Sequence, residues 1–282
     1  VLISDGMPTQ GNTDAAALVD VVRRARAKGF SVSSIGVGAD FNEVLMTRIA
    51  DRGAGSYYYL DNPSAFAEVF RREAASAKTA AATGISVSVP LPGGVRLVDA
   101  AGYPVSVSDG RAVFYPGSLH AGQTRRFFLT LQVPTETESQ FALAGITVRW
   151  LQDGGERESR LDQTFTIACV GDADRVAASI DRGRWEGKVL KEDYSRLKQE
   201  VASEIRSGRK DGAMNRISSY EREIKAMNSA VGSHAVEQNL ENDLKELRDR
   251  VADSFSGPPA AAAEKQNSSA KALQYEGYSE RR

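Results

Sequence analysis

The sequence predicts a multidomain protein with part of an α/β Rossmann-like domain first, an antiparallel β-sandwich second and an α-helical hairpin or bundle region third. Three observations carry this prediction. Strand-like and helix-like segments alternate over residues 1–82. Apolar residues then recur at every second position over residues 83–169, the period of half-buried strands. Over residues 170–255 the apolar residues lie three and four positions apart in a highly charged background, as in amphipathic helices.

The first region begins with an apolar run, Val1-Leu2-Ile3, which is typical of a strand buried on both faces of a parallel sheet. Further strands are predicted over residues 30–37 and 56–60. Helices are predicted over residues 15–25, 41–51 and 63–82, with Asp14 as the first N-cap and Gly29 as its C-cap. Such alternation implies parallel strands with right-handed crossovers. Three strands make about half of a doubly wound domain, so we expect residues 1–82 to be the C-terminal half of one.

The second region is predicted from its alternating apolar residues and its turns. Ile85, Val87 and Val89 alternate with polar residues, and the same period returns over residues 127–133, 146–150 and 161–167. Glycine-containing turn sequences separate these runs. Six to eight short strands with this spacing indicate a small antiparallel sandwich over residues 83–169.

The third region predicts three or four helices that pack as hairpins, because glycines near positions 208–212 and 232 interrupt the apolar pattern. We interpret the apolar and aromatic residues of these helices as core. The acidic residues Glu192, Asp193, Glu221 and Glu223 lie among lysines and arginines, which indicates a solvated face. Residues 256–282 are polar after a Gly-Pro-Pro sequence and predict a disordered tail.

Composition excludes several classes of function. Thirty-six Lys and Arg balance 37 Asp and Glu, which argues against a dedicated nucleic-acid binder. The single cysteine, Cys169, excludes an internal disulfide framework and a multi-cysteine metal site. No apolar run is long enough to span a membrane. His120 and His234 have no ligand at metal-binding spacing and no recognisable nucleophile. We therefore expect a protein that is not an enzyme.

Two features at predicted strand ends have alternative interpretations. Asp5 lies beside Ser4 and before Gly6, where open α/β sheets place their ligands, and a carboxylate there can bind a hard divalent cation directly or through water. The alternative is that Asp5 caps the following turn by accepting backbone hydrogen bonds. Gly36-Val37-Gly38 lacks the third glycine of a dinucleotide fingerprint, because position 41 is Phe, and we interpret these glycines as turn residues.

Several motifs in order resemble the von Willebrand factor type A domain. Residues 1–11, Val-Leu-Ile-Ser-Asp-Gly-Met-Pro-Thr-Gln-Gly, resemble its fourth strand and the turn that follows, in the form found in bacterial members and in inter-alpha-trypsin inhibitor heavy chains. Residues 34–38, 53–59 and 66–70 match the remainder of such a domain in order. The resemblance covers residues 1 to about 80, and residues 109–134 resemble the β-sandwich appended to many bacterial members.

The resemblance implies a metal-ion-dependent adhesion site that binds a carboxylate of a partner protein through Mg²⁺, Mn²⁺ or Ca²⁺. The family builds this site from an Asp-x-Ser-x-Ser loop, a later Thr and an Asp that acts through a coordinated water. Only the last ligand maps onto this sequence, at Asp5, with Ser4, Gly6 and Thr9 at the rim. We therefore expect a fragment, truncated within the type A domain, that binds no ion itself, whereas its full-length parent does.

Two functions follow as hypotheses. The first is a non-enzymatic, adhesion-type module that binds protein partners through the metal site of the parent. The alternative is a scaffold or co-factor of a MoxR-type ATPase complex that acts through the helical region. Both imply protein partners, without nucleic acid and without a membrane segment in this chain. The compartment stays unknown, with a bacterial extracytoplasmic or membrane-associated location favoured and a cytoplasmic one open.

Overall fold

A computed structural model describes residues 1–38, 40–61 and 63–281, without the side chains of residues 63 and 76–78. The chain divides into two compact units, Val1–Gly171 and Asp172–Arg282. The first unit contains both the α/β region and the antiparallel strands, which the sequence treats as separate domains. The second unit is helical.

The α/β region follows the predicted alternation of strands and helices. Its elements are β1 Leu2–Ser4, α1 Ala15–Ala27, β2 Val32–Val37, α2 Glu43–Arg52, β3 Ala54–Leu60, a 3₁₀ turn Pro63–Ala65 and α3 Phe66–Thr79. The three strands pair in parallel in the order β1-β2-β3. The predicted N-cap is confirmed, because the Asp14 carboxylate accepts a hydrogen bond of 2.9 Å from the Ala17 amide. Gly29 has a φ of +86° just beyond the end of α1, as the predicted C-cap requires.

The prediction of a buried first strand is wrong for the described chain. Leu2 is 41% exposed and Ile3 is 46% exposed, although they point to opposite faces of the sheet. Helix α3 covers one face through a core of Ile35, Tyr58, Leu60 and Val69, all of which lie on β2, β3 and α3. Strand β1 pairs only with β2 among the described strands and lies beyond this core, so its side chains stay in contact with solvent.

The antiparallel region contains nine strands within residues 80–171, all of which are described. They are β4 Ala80–Pro90, β5 Arg96–Ala100, β6 Ser106–Ser108, β7 Arg111–His120, β8 Leu129–Gln132, β9 Ser139–Leu143, β10 Thr147–Gln152, β11 Gly155–Arg160 and β12 Phe165–Cys169. Five form one sheet in the order β11-β10-β4-β7-β6, and β9 with β12 and β5 with β8 form two-stranded sheets. One apolar cluster around Val89 and Phe114 receives side chains from all three sheets. The arrangement as a sandwich stays a prediction.

The junction between the two regions lies earlier than predicted. Helix α3 ends at Thr79, and β4 begins at Ala80, so there is no linker between them. The Thr79 hydroxyl donates a hydrogen bond of 2.9 Å to the Ala75 carbonyl at the helix end, and Ala80 already pairs with His120 of β7. Pairing with β7 therefore ends the helix three residues before the predicted position.

The α/β region and the antiparallel region pack against each other. The guanidinium carbon of Arg26, at the end of α1, lies 3.6 Å from the centre of the Tyr115 ring on β7. A Cβ atom at Gly117 would lie 3.4 Å from the Ala54 carbonyl oxygen, so β7 approaches β3 closely where it carries no side chain. These contacts make Val1–Gly171 one unit.

The second unit contains more helices than predicted. Its elements are α4 Ala173–Ala178, α5 Arg182–Gly187, a π-helical segment Lys188–Asp193, α6 Tyr194–Arg206, α7 Lys210–Val231, α8 His234–Gln238, a π-helical segment Asn239–Asp243, α9 Leu244–Ser254 and α10 Pro259–Glu280. The predicted breaks near Gly208 and Gly232 are confirmed, and both glycines have a φ of +68°. The predicted apolar residues Leu197, Val201 and Leu247 are buried in one core.

The prediction of a disordered tail over residues 256–282 is wrong, because α10 occupies most of it. Pro259 takes the first helical position, where its missing amide hydrogen costs nothing, and four alanines follow it. A Cβ atom at Gly277 would overlap the Ser195 carbonyl oxygen, so α10 lies directly against α6. Lys198 of α6 also pairs with Glu280 at 2.7 Å. Packing on α6 orders a segment whose composition is typical of disorder.

The interpretation of Glu192 and Asp193 as a solvated face is also wrong, since both are buried. Asp193 accepts hydrogen bonds of 2.7 Å from the Lys188 ammonium and 3.0 Å from Arg196. A buried carboxylate needs such partners to offset its lost hydration. The π-helical segment places these residues inward, which a regular helical period does not predict.

We predict that Gly277→Ala lowers the free energy of unfolding by about 1–3 kcal/mol, the usual cost of overpacking. The new methyl group meets the α6 backbone, which cannot rotate away. The matched control is Gly183→Ala on α5, where the nearest atom to a Cβ is a carboxylate oxygen of Asp181 at 3.8 Å. Thermal and denaturant unfolding of both variants measures the difference, and equal stabilities would contradict the close packing of α10 on α6.

Candidate functional site

The candidate site lies at the carboxyl ends of the three parallel strands, where open α/β sheets bind ligands. Asp5 follows β1 directly, and Asp61 follows β3 directly. Strand β2 is followed by Gly38 and, after a position outside the described residues, by Asp40. Each strand is therefore followed by an aspartate within three residues. The sequence analysis identified Asp5 but missed Asp61, although an acidic residue next to a strand end is the same signal.

The turn after β1 presents the Asp5 side chain to solvent. The Ser4 hydroxyl donates a hydrogen bond of 2.9 Å to the Gly6 carbonyl oxygen and so closes the turn. Asp5 is exposed, and no hydrogen bond joins its carboxylate to another described residue. Thr9 is exposed farther along the same loop. Ser4, Asp5 and Gly6 thus lie together, and the alternative in which Asp5 caps the turn is not what this geometry shows.

An aromatic contact forms the neighbouring part of this edge. Phe41 is 2% exposed, and its ring occupies the space that a side chain at Gly36 would need. The ring centres of Phe41 and Tyr59 are 5.8 Å apart. Gly38 has a φ of +71°, and its amide donates a hydrogen bond of 2.8 Å to the Leu60 carbonyl. The interpretation as a turn residue therefore holds for Gly38, whereas Gly36 lies within β2 and makes room for the Phe41 ring.

The electrostatic environment of the edge is acidic. Burial raises the pKa of Tyr59, and the negative charges of Asp61 and Glu43 raise it further. Helix α2 begins here, where the Asn42 side chain accepts a hydrogen bond of 2.9 Å from the Leu45 amide. Glu43 lies in its first turn, which suits the positive end of the helix dipole. Carboxylates from two segments, Asp61 after β3 and Glu43 of α2, therefore act on Tyr59 at this edge.

The described residues do not complete a metal site. Within residues 1–38, 40–61 and 63–281, no group of three or more His, Cys, Asp or Glu side chains is placed to hold a metal ion. Asp5 alone supplies one carboxylate, and the Ser4 hydroxyl is already directed at the Gly6 carbonyl. Mg²⁺ keeps an octahedral shell of oxygen ligands and needs further protein groups or waters to stay bound. Among the described residues, the turn therefore shows one candidate ligand and not a complete set.

Hydrogen bonds from Ser33 and Tyr58 to the Glu73 carboxylate, together called the clamp, hold α3 on the sheet. Glu73 of α3 accepts hydrogen bonds from Ser33 at 2.8 Å and from the Tyr58 hydroxyl at 2.7 Å. The Ser56 amide donates to the Ser33 hydroxyl at 3.1 Å, which ties β2 to β3. Burial raises the pKa of Tyr58, and the hydrogen bond to Glu73 raises it further. The clamp was not predicted, because it joins residues forty positions apart.

Comparison with known proteins gives the fold. No protein-family model matches the sequence. The structure matches the von Willebrand factor type A protein from Catenulispora acidiphila with a TM-score of 0.65 and 16% identity, over 98% of this chain and 64% of that one. It matches the ArnB paralog VWA2 from Sulfolobus acidocaldarius with a TM-score of 0.42 and 17% identity, over 97% of this chain and 63% of that one. The resemblance to the von Willebrand factor type A fold is confirmed: the chain has an α/β fold of this kind with mixed sheets and a C-terminal helical region.

One sequence relative is the Escherichia coli (strain K12) protein YfbK, which is 36% identical over 74 residues. This match covers 26% of this chain and 13% of YfbK. The chain thus spans less than two thirds of the proteins it resembles. Among the described residues, no helix is long and apolar enough to cross a membrane.

We predict that Tyr58→Phe and Glu73→Gln each lower the free energy of unfolding by about 1–2 kcal/mol at neutral pH, and that their effects are not additive. Tyr58→Phe removes the donor of the shared hydrogen bond, and Glu73→Gln removes the charge of its acceptor, so part of each loss is the same interaction. Because the folded pKa of Tyr58 is raised, its contribution is complete below the ordinary tyrosine pKa of about 10 and falls as pH rises above it. Denaturant unfolding of the four proteins measures the cycle, and strictly additive losses would contradict the clamp.

Proposed function

We propose that this chain is part of a non-enzymatic protein-interaction module. The observation that carries the proposal is the exposed Asp5 carboxylate at the carboxyl end of a strand in a von Willebrand factor type A-like fold. A charged group on a short, closed turn above a rigid sheet is well placed to meet a partner surface. No nucleophile with a base and no pair of catalytic acids was recognised in the sequence, which supports a binding role over catalysis.

In the full-length parent, we propose, Asp5 contributes to a divalent-metal site that binds a carboxylate of the partner. Mg²⁺ is the first candidate, with Mn²⁺ or Ca²⁺ as alternatives, and Asp5 acts through a coordinated water. Ser4, Gly6 and Thr9 form the rim of the site. The described residues supply one carboxylate at the turn, so the proposed site uses further ligands beside Asp5. The acidic edge around Asp61 and Glu43 supports a cation there.

The remainder of the first unit serves, in this proposal, to hold the turn in place. Antiparallel strands arranged as a β-sandwich brace the α/β region through the contact between Arg26 and Tyr115. The clamp at Glu73 fixes α3 under the same sheet. We propose a bacterial protein, extracytoplasmic or membrane-associated in preference to cytoplasmic, that binds proteins and not nucleic acid.

A second candidate is a scaffold function of the helical unit, for example as a co-factor of a MoxR-type ATPase complex. The supporting observation is that Asp172–Arg282 forms a compact unit with its own core. Partner capture by the full-length parent in the presence of EDTA distinguishes the candidates, because adhesion through a metal needs the ion and recognition by helices does not.

We predict that Asp5→Asn weakens Mg²⁺ binding by the full-length parent by about 10- to 100-fold, the usual effect of losing a group that orients metal-bound water. The variant keeps the size of the side chain and removes its charge. The control is Asp153→Asn, in a turn with a φ of +51° that asparagine also adopts. Calorimetric titration with MgCl₂ measures both, and an unchanged affinity in Asp5→Asn would exclude Asp5 from the site.

A further inference from the structure

The helical unit is built as two copies of one arrangement. Each copy has a short α-helix, a π-helical segment, a longer helix, a glycine-containing loop and a final helix of 22 residues. The sequence repeats with it at a spacing of fifty residues. Within the π-helical segment and the longer helix, residues 188–206, the identical pairs are Leu190/Leu240, Asp193/Asp243, Leu197/Leu247, Val201/Val251 and Ala202/Ala252. A fixed spacing of this kind is the signature of a repeated structural unit.

The two copies pack their helices unequally. Helix α6 packs extensively along α10, whereas the corresponding pair, α9 and α7, touches much less. Helices α7 and α10 align at a spacing of 49 residues, which matches the buried Ala213 with Ala262 and the buried Ile224 with Leu273. The repeat therefore has one closely packed helix pair, α6 with α10, and one loosely packed pair, α7 with α9.

Side-chain size explains the difference between the two pairs. On α10, Gly277 faces the α6 backbone, and Ala270 lies two turns earlier on the same face. The corresponding residues of α7 are Asn228 and Glu221. Their longer side chains face the second copy instead, where Glu221 pairs with Arg248 of α9. A groove of about 690 Å³ remains between α7 and the segment from α8 to α9.

The turn between α7 and α8 closes one end of the groove, and Leu240 lines the groove with an apolar side chain. The Asn228 side chain accepts a hydrogen bond of 2.8 Å from the Ser233 amide and donates one of 3.0 Å to the Ser233 carbonyl, so it fixes the turn that closes one end. Leu240 contributes apolar surface. Both polar groups of Asn228 are engaged, which leaves the charged side chains to recognise a ligand.

The charges of the groove favour a cationic ligand. Carboxylates of Glu221, Glu237 and Glu241 line it, against the cations Lys225 and Arg248. The Arg248 charge is matched by Glu221. His234 also lines the groove, and its Nδ1 lies 3.4 Å from the Glu237 carboxylate. Lys225 is exposed on the opposite wall from Glu237 and Glu241. Residues 234–254, which supply that wall, carry six carboxylates and three Lys or Arg residues. The corresponding residues 184–204 of the first copy carry five carboxylates and five Lys or Arg residues, so the excess negative charge belongs to the copy that forms the groove.

We propose that the groove between α7 and α8–α9 binds a lysine- or arginine-bearing segment of a protein partner. The aliphatic part of such a side chain packs on Leu240, and its charged end meets Glu237 and Glu241. This surface goes beyond the proposed adhesion site, because it uses other residues, needs no metal ion and lies in the other unit.

The test uses the full chain in EDTA, with fluorescence anisotropy of a short labelled peptide of lysine, serine and alanine. The same peptide with glutamate in place of lysine is the negative probe. We expect Glu241→Gln to weaken binding of the lysine peptide about five-fold, the effect of one charge pair of about 1 kcal/mol. Lys225→Gln removes the opposing cation and is expected to strengthen binding by a similar factor. Glu246→Gln, on α9 outside the groove, is the matched control and is expected to leave affinity unchanged.

Opposite signs for Glu241→Gln and Lys225→Gln, with no change in Glu246→Gln, establish the groove as the site. Equal losses in Glu241→Gln and Glu246→Gln would show non-specific attraction to an acidic helix and overturn the proposal. Stronger binding of the glutamate peptide would overturn it too. Circular dichroism of each variant confirms folding. Since EDTA is present throughout, a failed metal site and a failed groove give separate results.

Discussion

The contact between Arg26 and Tyr115 is the interaction on which the first unit depends. The guanidinium lies 3.6 Å from the ring centre, and burial lowers the pKa of Arg26 below its usual value. A desolvated cation on an aromatic face contributes up to about 2 kcal/mol. The contact joins α1, which directly follows the Asp5 loop, to β7, the neighbour of the edge strand β6 in the five-stranded sheet. Strand β7 also approaches Ala54 at the start of β3, so the candidate site, at the carboxyl ends of the strands, lies at the opposite edge of the three-stranded sheet.

Local patterns in the sequence were sufficient for most elements of the fold. Alternation of apolar residues located β4, and Asp14 and Gly29 located the ends of α1. Helix α10 was missed because its alanines, serines and single glycine give almost no amphipathic pattern. Its order comes from tertiary contact with α6 at Gly277. The exposure of β1 was missed for a related reason, since burial depends on neighbours that a local pattern does not contain.

The candidate site was predictable only in part. Asp5 could be located from its place after an apolar run, and Asp61 could have been found in the same way. The clamp of Glu73 on Ser33 and Tyr58 joins distant segments, so no local spacing encodes it. The repeat of the helical unit could be detected in the sequence as identical residues fifty positions apart. The groove could not, because it follows from a comparison of side-chain sizes in the two folded copies.

If the Arg26 contact unites the first unit, removing it lowers the hydrogen-exchange protection of the α/β region and of the antiparallel strands together. Hydrogen exchange of the full chain, followed by mass spectrometry, measures this in Arg26→Gln, with Arg23→Gln as control because Arg23 pairs only with Asp20 on its own helix. We expect amides of β2 and β7 to exchange faster by the same factor in Arg26→Gln and to stay unchanged in Arg23→Gln. Faster exchange confined to α1 would contradict the account.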